Sequence, residues 1–122
     1  MAEDNGIKRT FESGATRDTG EGKLSYVKAL SATVLHRYVQ YLAQHRTLPD
    51  GSKRAFDNWK KGIPHECYID SLVRHAMDAW RLSEGVEIVD NHGPVSEEEL
   101  LCAIIFNAHG KLHKILKTKG EL

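Results

Sequence analysis

Arg74, His75 and Asp78 fall within the five-residue stretch RHAMD. On a helix, His75 and Asp78 are three apart and share a face, so they are able to meet a metal or a ligand together. Arg74 and Asp78, four apart, equally suit an ordinary ion pair on the helix surface. Glu97, Glu98 and Glu99 offer oxygen ligands of the kind that magnesium takes. They directly follow Ser96, however, so the first turn of a helix already explains them electrostatically. Asn107 stands inside an apolar run, where a buried amide needs partners and the edge of a base would supply them. His109 and His113 have the one-turn spacing of zinc-helix histidines. Gly110 occupies the place of the metalloprotease glutamate, and Lys111 and Lys114 flank the pair, so both read as surface residues.

The opening stretch GIKRTFESGATRDTGEGK sets Lys8, Arg9, Arg17 and Lys23 among four glycines. The Walker pattern G-x-x-x-x-G-K-[ST] nevertheless fails, because Arg17 replaces its first glycine and Leu24 follows Lys23. A looser phosphate site survives: the Arg17 fork is able to take two phosphate oxygens, and Lys23 adds a point charge. Composition alone reads the stretch as a flexible tail. Cys67 and Cys102 lack a second cysteine at short spacing, which argues against structural zinc. Both are read as buried thiols in a reducing compartment.

These residues need elements to position them. Residues 1–23 show neither helical nor alternating period and are expected to be irregular. A first helix starts after Ser31 as N-cap and repeats Leu35, Tyr38 and Leu42 on one face. Residues 47–64 form a long connection with a turn at Pro49-Asp50-Gly51. The apolar Phe56, Trp59 and Ile63 mark this loop as functional rather than loose. A second helix runs from about Pro64 to Leu82, with stripes Tyr68-Leu72-Ala76-Trp80 and Ile69-Val73-Met77. The segment VEIV after it is either a short strand or an extended link. A third helix starts at the Ser96–Glu99 capping box, is apolar all round through Phe106, and meets Gly110, read as a kink or a close approach of backbone.

The expected fold is therefore all-α: a small bundle of three to four helices in residues 24–122, preceded by a loop in residues 1–23. The broad apolar faces imply completion by oligomerisation, with a homo-oligomer as partner. Lys plus Arg and Asp plus Glu number 17 each, which provides no broad grip on duplex nucleic acid. The longest apolar run is too short for a bilayer and no basic-then-apolar leader opens the chain, so a cytoplasmic protein without membrane contact is expected.

Taken in order, GATRDTGEGK, DNWKKGIP, SLVRHAMDAW and AIIFNAHG resemble the phage-associated family named for the N-terminal domain of dATP/dGTP diphosphohydrolases. The resemblance spans roughly residues 6–116. It implies a phage-derived, nucleotide-directed protein acting in the cytoplasm of an infected bacterium. Matched residue by residue, it implies nucleotide contacts from Arg17, Asp18, Lys23, Asn58, Trp59, Lys61, Arg74 and Asn107, to which the basic opening stretch adds Arg9 as a candidate. It also implies an ordered N-terminal loop. Relatives in function, the MazG-like pyrophosphohydrolases, hold magnesium or manganese on an E-x-x-E and a later E-x-x-D pair. Glu84 and Glu87 have the first spacing but lie in a connection, and no E-x-x-D pair begins after them.

Two functions follow from this reading. One is metal-dependent hydrolysis of purine (deoxy)nucleoside triphosphates, with Asp78, His75 and Glu99 as catalytic candidates and Asp78, Glu98 and Glu99 holding Mg²⁺ or Mn²⁺. The alternative is a non-catalytic binder that sequesters a cyclic or modified signalling nucleotide and needs no metal.

Overall fold

The computed structural model describes residues 8–18, 20 and 22–122. Residues 1–7, Thr19 and Glu21 of the expected N-terminal loop lie outside the described residues. The chain divides into two compact units, Met1–Leu35 and His36–Leu122, so the division falls within a helix rather than after residue 23.

The first unit corrects the expectation of irregular structure. Strands β1 (Lys8–Thr10) and β2 (Thr16–Asp18) pair antiparallel, with Lys8 opposite Asp18 and Arg9 opposite Arg17. The Phe11 amide donates to the Ala15 carbonyl at 2.9 Å, and Gly14 closes the turn at a φ of 89°. Neither strand has an apolar residue to alternate with a polar one, so no period of two exists to be read. A four-residue helix α1 (Tyr26–Ala29) follows, capped by the Ser25 hydroxyl. Ser31 accepts from the Val34 amide at the start of α2 (Ala32–Gln44), as its sequence position predicts.

The second unit is built on α3 (His65–Ser83) and α4 (Glu97–Thr118), which pack against each other. Ser96 caps α4 by accepting from the Glu99 amide at 3.1 Å, and the Glu99 carboxylate returns to the Ser96 hydroxyl. Gly110 neither kinks α4 nor admits a backbone. A Cβ there would stand 2.6 Å from ring atoms of Tyr68, whose side chain is 2% exposed. Glycine is thus the space into which the α3 tyrosine packs. The inner face of α4 adds Leu100, Cys102, Ala103 and Asn107, whereas Leu101 is exposed, so the helix is not buried all round. Cys102 is buried as expected and burial raises its thiol pKa; Cys67, on α3, is exposed instead.

Between α2 and α3 the chain is ordered by its own turns. Thr47 bridges Lys53 across Pro49-Asp50-Gly51, and Asp50 accepts from both the amide and the hydroxyl of Ser52. Those two bonds hold the Asp50 carboxyl below its ordinary pKa. A 3₁₀ turn at Asn58–Lys61 leads into α3, where Pro64 is the N-cap. Between α3 and α4, β3 (Val89–Asp90) and β4 (Gly93–Pro94) form a second small hairpin. The protein is mostly helical with two two-stranded sheets, not purely all-α. No helix among the described residues is long and apolar enough to cross a membrane.

Candidate functional site

Three cavities gather the residues of interest, one in the first unit and two in the second. The first, about 370 Å³, is lined by Lys8, Arg9, Arg17, Asp18, Gly20 and Lys23. The hairpin register sets Arg9 directly opposite Arg17, and like charges in that relation repel. An anion placed between them would offset that repulsion. Lys8 and Asp18 form an ion pair at 3.1 Å beside it. Asp18 therefore has a structural partner as well as a place in the cavity wall.

In the second unit, an aromatic cavity of about 270 Å³ opens among α2, α3, α4 and the loop of residues 45–64. Tyr41, Phe56, Trp59 and Phe106 supply rings, and Asn58, Asn107, Ser71 and His75 supply polar atoms. Trp59 meets the rings of His109 and His113 edge-on, with centroids 5.4 and 4.7 Å away. His109 is exposed, as expected of a surface residue, and His113 is half-buried; both rings nonetheless contact the indole. Asn107 is buried and its Nδ2 donates to the Ala103 carbonyl at 2.8 Å. That bond uses one amide function and leaves the carbonyl oxygen as the remaining acceptor. His75 Nδ1 is buried and has no hydrogen-bond partner among the described residues. Burial, reinforced by the Arg74 charge and opposed by Asp78, holds the His75 pKa below its ordinary value, so the ring is neutral at pH 7.

Sequence reading missed Arg46 and Arg54 at this cavity. The Arg46 Nε donates to the Arg54 carbonyl at 2.8 Å and its guanidinium lies 4.2 Å from the Phe56 ring centroid. The available signal was the Pro-Asp-Gly turn, which folds the chain back so that residues eight apart become neighbours. Lys61, expected at the site, is exposed and outside the cavity lining.

The third cavity, about 380 Å³, shares Tyr41, His45, His75 and Ala103 with the aromatic one. Its other walls bring Arg74, Asp78 and Glu99 together, as sequence reading anticipated, and add Asp90. Arg74 does not pair with Asp78: it bonds Asp70 and Ser71, and Asp78 contacts Arg81 at 3.7 Å. Glu98, expected as a metal ligand, is outside this cavity and bonds Arg37 Nε at 2.9 Å. No group of three or more His, Cys, Asp or Glu side chains among the described residues is arranged to hold a metal ion. Of the three expected metal ligands, Asp78 and Glu99 line this cavity and Glu98 does not.

No protein-family model, curated protein or solved structure matches the chain.

Proposed function

We propose that the chain binds a nucleotide in the aromatic cavity and holds it chemically intact. The observation that carries this reading is the lining itself. Four aromatic side chains stand beside two amides, a neutral histidine with an unpaired buried nitrogen, and two arginines. Rings stack on a planar base, amide and imidazole groups read its edge, and guanidinium groups take phosphate oxygens. The volume is close to the lower end for small-molecule sites, enough for a base, so the phosphates would lie toward Arg46 and Arg54. The hairpin with Arg9, Arg17 and Lys23 is a second place where phosphate would be welcome.

The family resemblance supports the same ligand class and a role in the cytoplasm of a phage-infected bacterium. Hydrolysis of a nucleoside triphosphate is the second reading, favoured by one observation: Arg74, His75, Asp78 and Glu99 share the neighbouring cavity. That reading needs Mg²⁺ or Mn²⁺ held by carboxylates, whereas intact binding needs only the rings, amides and guanidinium groups of the aromatic cavity.

Calorimetric titration with nucleoside triphosphates and cyclic dinucleotides, in buffer containing EDTA, tests the proposal. Binding that persists without divalent cations and weakens as salt is raised supports it. Absence of heat from both classes in both EDTA and Mn²⁺ overturns it.

A further inference from the structure

The outward face of α3 carries a continuous apolar seam. Ile69, Val73, Met77 and Trp80 are 44%, 58%, 47% and 63% exposed, at the spacing of a single helix face. Tyr68, on the opposite side of the same helix, is the buried one. Isolated surface apolar residues need no explanation, but four in register, one of them tryptophan, mark an interaction surface.

The charges beside the seam say what kind of partner fits. With Val73 at the centre, helical geometry puts Asp70 and Arg81 about 60° and 80° to one side. The other flank holds Ala76 and Ser83, which carry no formal charge. Two identical helices packed antiparallel bring the same flank of each together. In the register that sets Ile69 across from Trp80 of a second copy, Val73 faces Met77 and Asp70 faces Arg81. Both contacts then occur twice, by symmetry. A parallel pairing offers neither charge an opposite one. Asp70 is mostly exposed, held only by the i,i+4 contact to Arg74, and Arg81 keeps only its 3.7 Å contact to Asp78. The same register sets Glu66 across from Glu84 at each end of the seam, like charges that are exposed in the single chain and that water at the ends screens.

We infer that the outer face of α3 is a self-complementary interface, on which a second copy of this chain docks antiparallel, Ile69-Val73-Met77-Trp80 against itself and Asp70 against Arg81. Arg74 lies next on the charged flank, so this pairing also brings the rims of two Arg74–Asp78 cavities to the same side of the seam.

Sedimentation velocity over a wide concentration range, with circular dichroism as a check on folding, decides the matter. The expected species has twice the 13.7 kDa chain mass. Val73→Asp, at an exposed position, should give a folded monomer. Asp70→Arg and Arg81→Asp should each weaken association at least about tenfold by facing like charges, and the two together should restore it. A monomer at every concentration overturns the inference. So does a dimer indifferent to Val73→Asp, or a double reversal no better than its single parents.

Discussion

The aromatic and carboxylate cavities share a wall of Tyr41, His45, His75 and Ala103, yet they offer a ligand different things. In the carboxylate cavity the charges are already engaged: Arg74 by Asp70, Asp78 by Arg81, Glu99 by Ser96, and Asp90 by the His92 amide at 2.7 Å. Within the shared wall the buried His75 Nδ1 lacks a hydrogen-bond partner among the described residues, and the aromatic cavity alone adds four rings and Asn107, whose Nδ2 donates to the Ala103 carbonyl. Unspent hydrogen-bonding capacity beside stacking surfaces marks a binding site better than a count of ionisable groups does. The carboxylates are catalytic candidates in the sequence because their types are right; in the fold Glu99 accepts from the Ser96 hydroxyl and Asp78 contacts Arg81.

The sharpest way to break this contrast is to alter one cavity at a time. Trp59→Ala should weaken nucleotide binding by about 1–3 kcal/mol, the worth of one stacked base. Asp78→Asn should leave the affinity within about twofold, since no metal is needed. Calorimetry on both variants reads the difference, and equal losses would erase the distinction. A second substitution acts below both cavities. Gly110→Ala forces a methyl against Tyr68 and should cost about 1–3 kcal/mol of stability, seen as a lowered Tm. Tyr68→Leu in the same chain should recover part of it.

The smallest effect concerns His75, common to both cavities. Its folded pKa is depressed, so the unfolded chain takes up the proton first and stability falls as pH drops from the ordinary histidine value through the lowered one. His75→Gln should flatten that part of a Tm-versus-pH curve. Nucleotide affinity should weaken in the same window, because a protonated Nδ1 no longer accepts.

Much of the helical frame was legible in the residues. Ser31 and the Ser96–Glu99 box mark two helix starts, and Asn58, Trp59, His75 and Asn107, all candidates by type and pattern, line one cavity. The hairpin of residues 8–18 was not legible, since a short strand of Lys, Arg and Thr has no apolar face to alternate. Nor was the partnering of charges: Arg74 had Asp70 and Asp78 at equal distance along the helix, and Glu98 met Arg37 from 61 positions away. Both outcomes depend on side-chain geometry that spacing alone leaves open. Cys67 misled for a related reason, because an apolar neighbourhood in sequence includes Ile69 and Val73, which themselves face outward.

On the proposed reading the chain holds a nucleotide without cleaving it. The most direct test is to incubate the protein with nucleoside triphosphates and cyclic dinucleotides in Mn²⁺, isolate the complex, denature it with heat and identify the released ligand by chromatography and mass spectrometry. Recovery of the unaltered nucleotide, in proportion to the protein, is the predicted result. Recovery of a monophosphate with pyrophosphate, or of a linearised dinucleotide, would contradict it and return Asp78 and Glu99 to a catalytic role.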